Sequence, residues 1–317
     1  MGSSNFAVVL PVALVVVMFG LGLTLTPQDF HRVIRHPKAV AIALGCQLVV
    51  LPALCLLLVV LFGLTGALAV GMMLLAASPG GTSANLFSHL AGGDVALNIM
   101  LTAINSVLAA FTMPIVITLS VAAFMNDDAA VGLQPAKLVQ VIAVVLVPVA
   151  IGMWINHVYP AFSGRMAKPV KIASMAVLVM AVTVAVGSEF DTLRENLGRL
   201  GLITVMLSVL SLSIGYFVPR WFGVGIRQAI ASSMEIGIHN ATLAIAVAVS
   251  VLGSEVMAVP AATYGIVMGG PAAISAFLLA RRAKRTGDRA DFRSRRTELD
   301  DLDPSGSPST RSSSEPA

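Results

Sequence analysis

Charged residues are scarce in this chain. Lys, Arg, Asp and Glu make up 11% of its 317 residues, against about 25% in a soluble domain, and that shortage excludes an ordinary water-soluble globule. Cysteine is scarcer still, with only Cys46 and Cys55. Nine residues apart on one helix corresponds to about 900° of rotation, so the two point to opposite faces and cannot pair as a disulfide or dithiolate. The sequence lacks a His-Glu-x-x-His pattern, which removes the helical zinc-hydrolase signature. It also lacks the roughly ten-residue alternation of a β-barrel. The run from Phe6 to Leu25 has neither a basic leader nor a small-residue cleavage site, so it reads as a first membrane span rather than a signal peptide.

What the chain has instead is apolar length. Hydrophobic residues make up 57% of it, and stretches of about 20 apolar residues recur along nearly its whole length, the mark of a polytopic α-helical membrane protein. Nine spans are expected, near 5–25, 39–63, 66–90, 95–124, 137–157, 171–190, 199–220, 229–252 and 257–280. Alternating the loops places twelve Lys and Arg on one side, among them Arg32, Arg35, Lys38, Arg165, Lys168, Lys171, Arg220, Arg227 and Arg281–Arg285, and three (Lys137, Arg194, Arg199) on the other. By the positive-inside rule the N-terminus is outside and the C-terminus cytoplasmic. The same distribution accounts for the formal net charge of +4 without nucleic acid as a partner. The Arg281–Arg285 run suits the anionic headgroups of membrane lipid. Residues 1–285 form the expected membrane domain. Residues 286–317, rich in Asp, Arg, Ser and Pro, form a tail too polar to bury a core.

Two of the spans carry polar interruptions near their middle. One is Ser78-Pro79-Gly80-Gly81-Thr82-Ser83-Ala84-Asn85, the other Glu235-Ile236-Gly237-Ile238-His239-Asn240. Broken backbone inside a membrane is tolerated only where protein or a water-filled cavity satisfies it. Two such breaks in corresponding places of an inverted repeat point to a transporter's binding site. The half-helix beginning after Gly81 and Thr82 and the one beginning after Asn240 direct their N–H groups and positive dipole ends at an anion. The carbonyl ends of the preceding halves suit a hard cation.

Glu235 is the one carboxylate placed in mid-membrane, where a charge costs at least about 2.5–3.5 kcal/mol on insertion scales. A residue kept at that cost pairs with a cation or relays protons. Asn98, Thr102 and Asn105, spaced i, i+4, i+7, share one face of the fourth span, and Gln47 is a lone amide in the second. The pattern points to a cation-coupled transporter.

At these residues the chain resembles the bile acid:sodium symporter family, over about residues 15–280. The resemblance rests on Phe19-Gly20-Leu21-Gly22-Leu23-Thr24-Leu25, on Gln47 with Leu51-Pro52, on Ser78-Pro79-Gly80-Gly81-Thr82, on Gly93-Asp94-Val95-Ala96-Leu97, and on Glu235-Ile236-Gly237-Ile238-His239-Asn240. It implies a bacterial inner-membrane protein with an all-α ten-helix inverted-repeat fold lacking the first helix, in which two crossing broken helices belong to a core domain beside a panel domain. It implies Na⁺ as the co-transported ion. The first Na⁺ would use Asn85, Asn98, Thr102 and Glu235, and the second Gln47, Glu235, the backbone of Ile236 and Ile238, and His239. A small organic anion, a carboxylate of bile-acid, pantoate or keto-acid type, would lie near Gly81, Thr82 and Asn240. Three features depart from the family pattern: Ala84 and Asn98 replace common serines, His239 a usual glutamine, and Met268-Gly269-Gly270 an aromatic-His-Asn run.

The expected function is therefore Na⁺-coupled symport by alternating access and not enzymatic. Na⁺ at Glu235 is expected to draw the broken helices together. Proton coupling through Glu235 and His239 on the same scaffold is the alternative. Metalloid efflux is disfavoured because neither cysteine lies at a break.

Overall fold

The computed structural model describes residues 15, 16, 18–20, 22, 23, 36–81, 83–125, 135–188 and 190–283. Most of the expected first span, Thr82 and the C-terminal tail lie outside them. Among the described residues the protein is all-helical, with no strand beyond one isolated β-bridge. The elements are α1 (Pro37–Leu61), α2 (Gly66–Ala77), α3 (Ser83–Leu90), α4 (Val95–Phe124), α5 (Pro135–Val158), α6 (Pro160–Ser188), α7 (Phe190–Trp221), α8 (Ile226–Gly237), α9 (Ala241–Ser250), α10 (Val259–Val267) and α11 (Gly269–Ala283). The helices α1 and α4, with residues Arg194–Trp221 of α7, are each long and apolar enough to cross a membrane alone. Residues Val256–Val267 with α11 do so as a pair bent by 41°. Several apolar helices of this kind make the chain a polytopic membrane protein.

The two expected breaks are present. α2 stops at Ala77 and α3 resumes at Ser83, because Pro79 lacks an N–H and residues before proline are pushed to extended backbone. Ser78 accordingly has ψ of 147°. α8 stops at Gly237 and α9 starts after Asn240, with Ile238 extended. Glu235 itself remains helical, in the last turn of α8, so the second break is shorter than the sequence suggested.

Two segments expected to be loops are helix. Pro160 opens α6, at a first position that suits proline, so Arg165, Lys168 and Lys171 lie on a helix rather than in a connection. Likewise Arg194 and Arg199 lie within α7.

Pro52 shapes α1 differently from Pro79. A proline ring inside a helix collides with the carbonyl four residues back. Here the preceding residues Cys46–Val50 widen into a π-turn, closed by Leu51 N–H donating to the Cys46 carbonyl. α1 therefore continues through its proline, and Gln47 sits in the widened turn, buried at 3% exposure. Both cysteines are free and buried.

Packing is closest where glycines remove side chains. Gly215 of α7 lies against the α8 backbone at Ser233, and Gly237 against Leu212 of α7. Gly22, among the described residues before α1, and Gly152 of α5 approach in the same way. Ser233 Oγ, buried in the α7–α8 contact, donates to the Leu212 carbonyl at 2.6 Å. A contiguous apolar core joins α1, α2, α4, α7, α9 and α10 around the breaks.

Candidate functional site

The two unwound segments meet. Gly80 and His239 form the isolated antiparallel bridge. Gly81 N–H donates to the Ile238 carbonyl at 2.7 Å, and Asn240 N–H donates to the Pro79 carbonyl at 2.9 Å. The broken helices therefore satisfy part of each other's exposed backbone.

Each half-helix that ends at the crossing is closed by a side chain from a neighbour. Gln47 Nε2 donates to the Ser78 carbonyl at 3.0 Å. Tyr264 Oη donates to the Gly237 carbonyl at 2.7 Å and accepts from His239 N–H at 3.3 Å. Leaving a buried carbonyl unpaired costs about 1–3 kcal/mol, so these two side chains allow the helices to stop here. The beginning of α9 is satisfied locally, because Asn240 Oδ1 accepts from Leu243 N–H at 3.0 Å. Replacing Asn240 by Ala should cost about 1 kcal/mol, the usual value of a lost N-cap, and lower the melting temperature. An unchanged melting temperature would show that this cap does not support α9.

Glu235 lies at this crossing and is fully buried. Three donors from one face of α4 reach its carboxylate. Asn98 Nδ2 donates to Oε2 at 2.8 Å, Thr102 Oγ1 lies 2.5 Å from the same oxygen, and Asn105 Nδ2 donates to Oε1 at 3.1 Å. The backbone of Gly80, in the other broken helix, packs directly against the carboxylate. No side chain fits at Gly80, because a Cβ there would overlap the carboxylate itself. Among the described residues the fully buried side chains include no Lys or Arg, so amides, a hydroxyl and backbone take the place of a counter-charge.

Several acceptors at these helices remain unpaired. Asn85 Oδ1, Asn98 Oδ1, Asn105 Oδ1 and Gln47 Oε1 are buried without partners, as are both ring nitrogens of His239. Buried polar atoms are normally paired; the orphan oxygens of Asn98 and Asn105, whose amides touch the Glu235 carboxylate, belong to a donor set suited to a hard cation.

The structure thus brings Glu235, Asn98 and Thr102 into direct contact. Gln47 and the Ile238 backbone, both expected at the second Na⁺ site, bond to different partners: Gln47 donates to the Ser78 carbonyl and the Ile238 carbonyl accepts from Gly81 N–H. His239 stacks near Tyr264 with ring centroids 5.2 Å apart. Ile236 is buried in the core at 1% exposure. Asn85 lies on α3 without a hydrogen bond to Glu235. Ala84 is packed among Met234, Ile238 and Ile230, so its apolar character has an apolar environment. At the expected anion site, the Gly81 N–H is used by Ile238 and is not free for a ligand, and Thr82 lies outside the described residues. The sequence reading missed Asn105 as a direct partner of Glu235, although its i+7 spacing from Asn98 was visible. It also missed Gly80 and Tyr264, whose roles depend on which segments cross.

Comparison with known proteins places the chain in a family. The sodium bile acid symporter family model matches residues 11–196. The probable sodium/metabolite cotransporter BASS2 of rice chloroplasts (Oryza sativa subsp. japonica) is 25% identical over 276 residues, covering 87% of this chain and 65% of the relative. The uncharacterized sodium-dependent transporter YocS of Bacillus subtilis is 27% identical over 256 residues, covering 79% and 76%. The ileal sodium/bile acid cotransporter of rabbit (Oryctolagus cuniculus) is 27% identical over 235 residues, covering 74% and 67%. The chain spans a little under two thirds of the length of the plant relatives. The family and these relatives are transporters rather than enzymes. With that family model matching more than half of its length, this chain belongs to the sodium bile acid symporter family.

Proposed function

We propose that the protein is a Na⁺-coupled symporter of a small organic anion, working by alternating access. The observation that supports this reading best is Glu235, a buried carboxylate at the crossing of two broken helices, held by neutral donors beside unpaired amide oxygens. Na⁺ is cargo here. A first ion is assigned to Glu235, Asn98, Thr102 and Asn85, and a second to Gln47, Glu235, the Ile236 and Ile238 backbone, and His239. Thr102 has one hydroxyl hydrogen and two acceptors in reach, Asn98 O at 3.0 Å and Glu235 Oε2. When the hydrogen turns to Asn98, a lone pair faces the carboxylate, and a cation between them resolves the repulsion.

The anion is assigned to Thr82 and Asn240, at the half-helix starts. Its class follows the relatives, which are named for bile acid and for metabolite transport. The same reading gives the membrane domain (residues 1–285) nine spans divided between core and panel, the N-terminus outside, and residues 286–317 as a cytoplasmic tail.

Thermal melting of the purified protein in NaCl against KCl at equal ionic strength tests the reading. Na⁺ at about 100 times its dissociation constant should stabilise by about 2.7 kcal/mol. A panel of small carboxylates in NaCl then identifies the anion through Na⁺-gradient uptake into vesicles. Equal melting in Na⁺ and K⁺, with a response to pH instead, would replace this reading with proton coupling through Glu235 and His239.

A further inference from the structure

We infer that Asn105 is an exchange ligand: its amide donates to Glu235 through Nδ2, and turns its oxygen to the cation when one binds. The inference rests on the Na⁺-coupled reading above and extends it by one residue.

The geometry carries it in three steps. First, the carboxylate is divided between donors. Asn98 and Thr102 both address Oε2, whereas among the side-chain bonds only Asn105 addresses Oε1, at 3.1 Å. Asn105 is therefore the side chain that holds Oε1, while the other two hold Oε2. Second, Asn105 is 2% exposed, and its second polar atom, Oδ1, is buried with no partner. An amide that only positioned its neighbour would have that oxygen paired elsewhere, as buried polar atoms usually are. Third, an amide has its donor and its acceptor on the two arms of one planar group. A half-turn of that group replaces Nδ2 by Oδ1 beside Oε1 without moving the helix. Next to a bare carboxylate this would set two acceptors against each other; with a cation between them it completes a shell of oxygens. The preferred orientation of the amide thus depends on the cation. Asn98 has the same pattern, one donor to Glu235 and an unpaired Oδ1, so the two amides on this face would turn together around the ion.

The test uses the full-length detergent-purified protein, with Na⁺ and Li⁺ as the probes and stabilisation against heat as the signal. Half-saturating concentrations are measured for wild type, Asn105→Ala and Asn105→Leu, the leucine keeping the volume if the alanine cavity prevents folding. Both variants should raise the Na⁺ half-saturation about tenfold, the loss expected for one interaction with a charged group. They should also change the Na⁺-to-Li⁺ ratio at least about threefold, because an ion's own ligand discriminates by ionic radius. An unchanged Na⁺ half-saturation overturns the inference. So does a parallel loss for both ions at constant ratio, which would mark Asn105 as support for the carboxylate only. If wild type shows no Na⁺ response at all, the transport reading fails and this inference fails with it; a normal wild type with an unaltered Asn105 variant removes the inference alone.

Discussion

Glu235→Gln should fold, pass through purification normally, and show no difference between Na⁺ and K⁺ in thermal melting or in anion uptake. The substitution preserves shape and removes one charge. The charge is the only full negative charge at the crossing, and the surrounding Asn98, Thr102, Asn105 and Gly80 are all neutral. Removing one member of a buried ion pair typically costs about 3–5 kcal/mol, which corresponds to a loss of Na⁺ affinity of roughly a hundredfold or more. The fold does not suffer in proportion. The uncharged amide is cheaper to bury than the carboxylate was, so in KCl the variant should melt at or above the wild-type temperature. That combination, intact stability with no Na⁺ response, separates loss of a ligand from collapse of the site. A Glu235→Gln variant that takes up anion on a Na⁺ gradient at the wild-type rate would sink the mechanism.

Gly80→Ala should be nearly as damaging, for a steric reason. Gly80 faces the Glu235 carboxylate so closely that a Cβ has no room, and the obstructing atoms are the carboxylate's own. Two adjustments are open: Glu235 leaves its α4 donors, or the 78–81 segment moves off the bridge with His239. Either removes the arrangement that holds the site. Overpacking of this kind costs about 1–3 kcal/mol, and the Na⁺ response should fall to the level of Glu235→Gln. Gly81→Ala is the internal control. Its Cβ would meet the His239 carbonyl at 3.1 Å, a tight contact but not an overlap, so it should melt closer to wild type and keep a Na⁺ response. If Gly80→Ala binds Na⁺ as wild type does, the closeness of backbone and carboxylate does not govern the site.

Much of this was legible in the sequence because membrane burial makes polar residues conspicuous. Pro79 and the glycines beside it announced one break. Glu235 and Asn240 announced the other, and the i, i+4, i+7 spacing of Asn98, Thr102 and Asn105 put three polar groups on one helix face before any partner was known. What the sequence could not supply was which broken backbone lies against which. Gly80 and Gly81 look equivalent in the string, yet one abuts Glu235 and the other His239, a distinction made by the crossing alone. Tyr264 looks like an ordinary aromatic of a late helix, and its role emerges only when its hydroxyl is seen on the Gly237 carbonyl. Pro52 and Pro79 carry the same local rule and have opposite outcomes: a widened turn absorbs the first, while flanking glycines let the chain unwind at the second. The segments around Arg165 and Arg194 were misread as loops because charge was taken as a boundary, whereas a helix can carry its charged residues past the apolar region.

The Gly80–His239 bridge has a consequence for how such a molecule moves. Two backbone hydrogen bonds run in opposite directions across it, from Gly81 to Ile238 and from Asn240 to Pro79. A fastening of this kind resists prying the two helices apart, since each step of separation exposes paired peptide groups to an apolar surrounding. On the transport reading proposed above, the crossing would travel as one rivet-like piece, carrying a bound ion while the flanking helices slip past. Damage on one break should then be felt at the other, so that paired substitutions drawn one from 78–81 and one from 238–240 depart from additivity, whereas pairs split between the rivet and the distant Gly22–Gly152 contact do not.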